Sequence, residues 1–429
     1  MSMISRMEEW VSSYRLVTVF LLIFLFFQGF REFTGVRNTA FVLMCLAFAV
    51  RWSAGKAKVN LSDKTSVALI VLLAVSLISS VVGPYPGESL SAIRKNLLYQ
   101  VVVFFVIVSE YQGLKGLRPV FYALFGGFAL RSLAIVIRND PHVLFNWLDH
   151  NNDPFTFLKG YAMWATFYIP LMAAYLYACK ESVKIRAAIV FFIMLETGLA
   201  FLNNHRTQIV AFGAGIVCIM FAGRRYKLLA WGALAIFIAG FFAYQANPRS
   251  FDRYKTLLSP QTYVSNDSTG LNDRLAIWQG TVDMIQERPL LGYGYGWKKI
   301  KNVAIDAGWL DKWDKDGRTH LYFTEKGYGA ANPHNLILQI LFEIGIIGLV
   351  AFLFFWLTIV WKAVVTWRVE TEGARLLRYS VVGVLVSYVI INATNGLWQE
   401  SHGILLTAFA ASATVLYKEA VSGADSHPQ

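Results

Sequence analysis

Apolar runs long enough to cross a bilayer recur along nearly the whole chain, and they constrain its fold more than any other feature. They lie near residues 16–30, 36–50, 66–83, 97–109, 117–137, 161–179, 186–202, 207–222, 228–246, 336–361, 379–392 and 403–417. Read by spanning length, they make about 12 helices, some of them short for a full crossing. Composition agrees: 56% of the 429 residues are hydrophobic and 15% are charged, where a soluble domain has about 25% charged residues. The expected fold is all-α, a polytopic transmembrane bundle of about 12 spans with a long, partly helical outer loop. A formal charge of +12 raises nucleic acid as a partner, but most of the basic residues sit in short connectors between apolar runs. There they orient a chain in a bilayer, so membrane lipids are the expected partner and nucleic acid is not.

The connectors alternate in charge. Arg51, Lys56, Lys58 and Lys64, then Lys115 and Arg118, then Lys180, Lys184 and Arg186, then Arg224, Arg225 and Lys227, and finally Lys362, Arg368, Arg375 and Arg378 occupy every second connector. The positive-inside rule makes these cytoplasmic. Both termini are then expected inside, with 1–246 an N-terminal set of transmembrane helices, 247–333 an outer loop domain, 334–421 a C-terminal set and 422–429 a disordered tail. The first apolar run lacks a small-residue cleavage site and is followed at once by another span, so it reads as an anchor. Cys45, Cys179 and Cys218 all fall inside apolar runs, which leaves the outer loop without disulfides.

The unusual polar residues gather on the outward side. Arg94 and Lys95 follow the Gly83-Pro84-Tyr85-Pro86 turn and break the basic-inside pattern, which points to an anionic ligand. Arg131 and Glu196 lie within spans. Arg138 opens a connector rich in Asp, Asn and His, whose Asp149 to Asp153 stretch has no common metal-ligand spacing. Arg206 stands in a tight connector at the start of a helix, where its planar fork and the helix N-terminus both suit phosphate.

The outer loop is too long for a plain connector and is expected to fold. Asn272 or Asp273 would cap an amphipathic helix that carries Arg274 and Trp278 and runs towards Glu287, with Pro289 ending it. Gly292-Tyr293-Gly294-Tyr295-Gly296-Trp297 follows no strand and opens no clear helix, so it reads as a tight aromatic turn at the membrane interface rather than a nucleotide loop. Asp311 to Gly317 lacks the spacing of a calcium loop and reads as a polar turn. At Asn332-Pro333-His334-Asn335 the loop meets an apolar helix that bears Glu343, Gly345 and Gly348. An ionisable group there is costly enough to mark a site.

In this order, outward Arg206, Arg274-x-x-x-Trp278, the Pro289-Leu290-x-Gly292-x-Gly294 turn, then His334-Asn335 with Glu343 and two glycines behind, the chain resembles the O-antigen ligase and polymerase superfamily of bacterial envelope glycosyltransferases. The specific motifs cover residues 203–208 and 272–348. The resemblance implies transfer of a glycan from an undecaprenyl diphosphate carrier to an acceptor hydroxyl, at the periplasmic face of the bacterial inner membrane, with no cofactor and no metal. It implies His334 as general base, Arg206 and Arg274 on the diphosphate, and Asn335, Arg138 and Arg94 as further substrate contacts. Such chemistry asks for neutralised leaving-group charge and a base near neutral pH, which arginine and histidine supply.

Among the members, ligase is expected first, with lipid A-core as acceptor. Lys298, Lys299, Lys301, Arg249, Arg253 and Lys255 suit an anionic glycolipid, and the chain ends soon after its last span. A polymerase or a protein O-oligosaccharyltransferase is the alternative within the superfamily. A transporter is the alternative outside it, disfavoured because the two halves do not match and the polar residues gather on one face.

Overall fold

The structure, a computed structural model, describes residues 14–30, 32–138, 159–202, 206–246, 270–324 and 332–425. Among the described residues, nine long helices precede the segment expected on the outer side, here termed the outer segment: α1 (Tyr14–Phe26), α2 (Thr34–Ser53), α3 (Lys64–Val82), α4 (Pro86–Glu110), α5 (Gly113–Arg138), α6 (Lys159–Ala178), α7 (Val183–Leu202), α8 (Arg206–Ala222) and α9 (Tyr226–Ala246). The outer segment adds α10 (Gly270–Glu287) and the short α11 (Ile300–Asp306), α12 (Trp309–Lys312) and α13 (Arg318–Thr324). Three long helices close the chain, α14 (Leu336–Val365), α15 (Glu372–Asn392) and α16 (Glu400–Asp425). Helices α3, α4, α5, α14, α15 and α16 are long and apolar enough to cross a membrane, and α1 and α8 hold shorter apolar stretches. The chain is an all-α, multi-pass membrane protein.

Polar anchors fix how the helices run beside one another. The Asp63 carboxylate caps α3 by accepting the Thr65 and Ser66 N–H groups, and the buried Lys362 ammonium in the last turns of α14 reaches it at 2.8 Å. The end of α14 therefore meets the start of α3. A buried charge is tolerable here because it is paired and also hydrogen-bonded, to Thr65 and Thr414. Similarly, Tyr177 near the end of α6 donates to the Gly223 carbonyl at the end of α8, and its ring stands 4.7 Å from that of Tyr379 near the start of α15. Helices α8 and α15 are thus antiparallel, and Arg206 begins α8 at the end where α15 finishes.

The outer segment has a small core of its own. Ile277 and Met284 of α10 bury against Tyr293, Ile300, Val303, Ala304 and Phe323, and Phe342 of α14 completes the cluster. Burying side chains of this size is worth about 1.5–3 kcal/mol each, enough to hold short helices that would not persist alone. The Trp309 and Trp313 indoles clamp the far side by donating to Glu287 and Asp283. Around Asp311 to Gly317 the chain makes a polar turn closed by Gly317 N–H to Asp314 O at 2.9 Å.

Candidate active site

Helix α14 is broken three turns from its start, and the outer segment plugs the break. Gly345 has φ 65° and ψ −168°, a conformation open to glycine, and a Cβ there would run into the Leu290 carbonyl. The freed backbone is satisfied from outside the helix, with the N–H groups of Ile346 and Ile347 donating to Pro289 and Leu290 and Tyr293 N–H donating to Phe342 O at 2.9 Å. The Ser79 hydroxyl of α3 serves both partners, at Leu291 O and at Glu343 O. Sequence reasoning placed this aromatic turn at the membrane interface. The structure shows the turn packed inside the protein, with Tyr295 fully enclosed and edge-on to Trp398 at 5.0 Å. The reason is hydrogen-bond demand, because a kinked membrane helix must find partners for its open ladder.

Glu343 is the hub of this junction. Wholly buried, its carboxylate accepts the Gly296 N–H at 2.8 Å, the Gln339 amide at 2.7 Å and the Gln399 amide. Lys299, expected to serve an anionic glycolipid, is also buried, donating to Ser89 Oγ at 2.6 Å and Tyr295 O at 2.8 Å. Burial pushes its ammonium pKa down. It is a strut of the turn, and Lys298 beside it pairs with Glu400 at 3.3 Å. Arg249, Arg253 and Lys255 lie outside the described residues.

From this junction the chain emerges at the His334 corner. His334 adopts φ 49°, its N–H donating to Asn332 Oδ1 at 2.7 Å. Asn335 caps α14 through Leu338 N–H at 3.1 Å and donates to Ala393 O, just past the end of α15, at 3.2 Å. Trp278 donates to Pro333 O at 2.7 Å, which draws α10 against the corner. Arg274 lies one turn before Trp278 on the same face of that helix, and both Arg274 and His334 are partly buried. Burial, together with the Arg274 charge, lowers the His334 pKa to about 4, and burial also lowers that of Arg274. The imidazole is therefore neutral at physiological pH. Helix α10 itself starts at Gly270, ahead of the Asn272 and Asp273 expected to cap it.

The other expected residues divide. Arg206 is the first residue of α8, and the antiparallel packing of α8 on α15 sets that terminus at the end of the bundle where Asn335 holds Ala393. Its side chain, and that of Arg138 at the end of α5, lie outside the described residues, as does the Asp149 to Asp153 stretch. Arg131 faces Glu32 at 3.1 Å, and Glu196 is buried, accepting the Ser132 hydroxyl. Arg94 is exposed on a π-helical turn, Ile93–Leu97, but it is Lys95 and Asn96 that line a neighbouring cavity of about 410 Å³ with Arg37, Tyr99 and Glu400. Sequence reasoning missed Arg37, although a cation at the outward start of α2 carries the same basic-outside signal that flagged Arg94. It also missed Gln339 and Gln399, which look like ordinary polar residues until Glu343 is placed between them.

Residues 189–353, which hold α10, the plugged break and the His334 corner, match the family described as O-antigen ligase. The likeness to that family covers this stretch, well under half of the chain. Outside the family description, the chain is 28% identical over 203 residues to an O-antigen ligase of Pseudomonas aeruginosa, covering 45% of this chain and 40% of that protein. It is 42% identical over 81 residues to a protein of Rickettsia conorii described as a candidate polysaccharide ligase, covering 19% of this chain and 17% of the relative. The chain thus spans less than half the length of either relative. Arg206, Arg274, the glycine turn, His334 and Glu343 all fall within the matched residues. Among its described residues and those of the rest of the chain, no group of three or more His, Cys, Asp or Glu side chains is placed to hold a metal.

Proposed function

We propose that this protein is an O-antigen ligase, moving the polysaccharide from undecaprenyl diphosphate to a sugar hydroxyl of lipid A-core at the periplasmic face. The observation that carries this reading is the His334 corner, where a neutral imidazole and the Arg274 guanidinium are held together by the Trp278 bond to Pro333 and the Asn335 cap. The acceptor hydroxyl gives its proton to a His334 ring nitrogen as its oxygen attacks the anomeric carbon. The bond from that carbon to the diphosphate breaks on the opposite side, so the anomeric centre inverts. Arg274 and Arg206 neutralise the charge that builds on the departing diphosphate, a role that does not depend on a protonated leaving group. General-base assistance of this kind is worth roughly 10²- to 10⁴-fold.

The diphosphate also improves the base. Bound beside Arg274, it cancels one of the two causes that hold the imidazole pKa down. Similarity to the O-antigen ligase family supports a glycan donor and acceptor in general, and the basic outward cavity lined by Arg37 and Lys95 supports an anionic glycolipid acceptor. The deciding experiment mixes purified protein with lipid-linked O-antigen and lipid A-core and resolves the products on a gel. Capped lipid A is the expected product. Elongated carrier-linked glycan would assign a polymerase, and a glycosylated protein band in extracts would assign a protein O-oligosaccharyltransferase.

A further inference from the structure

At the end of the bundle remote from His334, the helix termini surround a cavity of about 930 Å³. Lys180, Arg186, Arg224, Arg225, Lys227 and Arg375 line it, against the single carboxylate of Glu370. That carboxylate is already engaged by Arg378 at 3.2 Å. Topology-setting charge needs only to be present in a connector, and it carries no requirement to converge. Here cations from three separate connectors, 180–186, 224–227 and 370–375, face one concavity.

The concavity is built rather than incidental. Arg186 and Arg375 donate to the Cys179 and Ala178 carbonyls at the open end of α6, at 3.4 and 3.3 Å, which fixes their guanidinium planes at the rim. Arg225 donates to Tyr177 Oη at 3.0 Å, with its guanidinium 5.5 Å from that ring. Arg224 holds a left-handed backbone, φ 54°, in a turn that a glycine or asparagine would occupy more easily. The flank is apolar and open: Tyr226, Leu228 and Trp231 on the first turns of α9 are 55, 53 and 69% exposed. A polar, cationic cup beside an exposed apolar and aromatic strip at a membrane boundary matches one chemistry, a charged head attached to acyl chains.

We propose that this cavity binds the phosphodiester headgroup of an anionic phospholipid from the adjoining leaflet, its acyl chains lying along the start of α9. The site is independent of the transfer reaction proposed above. The test uses the full chain in phosphatidylcholine nanodiscs with or without phosphatidylglycerol, and measures lipid retained after purification by native mass spectrometry together with the melting temperature. The variant is Arg224→Gln with Lys227→Gln, both exposed residues, which leaves the structural Arg186, Arg225 and Arg375 bonds intact.

Wild type is expected to retain phosphatidylglycerol over phosphatidylcholine and to melt higher in its presence. With each cation worth roughly fivefold, the double variant should retain it roughly 25-fold more weakly while melting like wild type in phosphatidylcholine alone. Equal retention by the variant would overturn the proposal. So would a melting shift with inorganic phosphate that equals the lipid's, because the cavity would then take a free anion. If the variant melts low in phosphatidylcholine, the single substitution Lys227→Gln on the first turn of α9 provides the same comparison.

Discussion

A histidine in the left-handed region costs of order 1–3 kcal/mol relative to relaxed backbone, so the His334 corner exists only because Asn332, Asn335 and Trp278 hold it there. The strain points the same way as the chemistry. Replacing His334 by Ala is expected to abolish transfer and leave binding of the lipid-linked donor largely intact, since in the proposed reaction the arginines and not the imidazole meet the diphosphate. Comparable transfer by the folded variant would reduce the residue to a structural cap. The sign of the pH response follows from a lowered pKa. An imidazole with an ordinary pKa, roughly 6.5, would lose its basic form just below neutrality, whereas His334 keeps it down to about pH 4. The acid limb of kcat/KM, which reports the free enzyme, should lie near that lower value, and the limb of kcat should lie higher because the bound diphosphate offsets Arg274. Coincident limbs near the unperturbed value would contradict the burial of the imidazole. Arg206→Ala and Arg274→Ala should each cost about 3–4 kcal/mol of transition-state stabilisation, with lysine a poor substitute for a planar fork. Initial-rate measurements showing wild-type kcat/KM for both variants would remove the arginines from the diphosphate site.

Helix α14 shows what an element can require of a single residue. Gly345→Ala should destabilise the protein by about 1–3 kcal/mol from backbone strain alone, with the collision against Leu290 added to it. A detergent melt unchanged from wild type would mean that the break in α14 relaxes freely. The apolar runs foretold the long helices well, because spanning length and hydropathy act locally along the chain. His334, Arg274 and Asn335 stand out in the sequence for a similar reason: each lies at a helix start, where a polar residue has an evident local cost or use. What the sequence concealed was the pairing across elements. No local pattern tells that the Gly292 to Trp297 turn fills the break in α14, or that Lys299 is spent on Ser89 and Tyr295. Nor did charge alone separate Arg94 from its neighbour Lys95, both of them exposed, of which Lys95 lines the cavity with Arg37.

At the scale of the whole molecule the two ends differ in kind. One end carries the His334 corner and the folded outer segment, and the other carries the convergent cations around Glu370. Helix α14 joins them, 30 residues that span about 45 Å at 1.5 Å per residue. Its one basic residue, Lys362, and Arg368 just beyond it lie at the far end, which the positive-inside rule turns to the cytoplasm, so His334 should face the periplasm. This orientation is testable with single cysteines, because Cys179 is buried and Cys45 and Cys218 are partly buried, which keeps the background low. Lys315→Cys in the exposed outer turn should react with a membrane-impermeant maleimide in spheroplasts, and Arg368→Cys, exposed beyond α14, only after the membrane is opened. The reverse pattern would put His334 in the cytoplasm. It would sink transfer onto a periplasmic glycolipid and would turn the cationic cavity towards the outer leaflet, so one labelling experiment constrains both ends of the molecule.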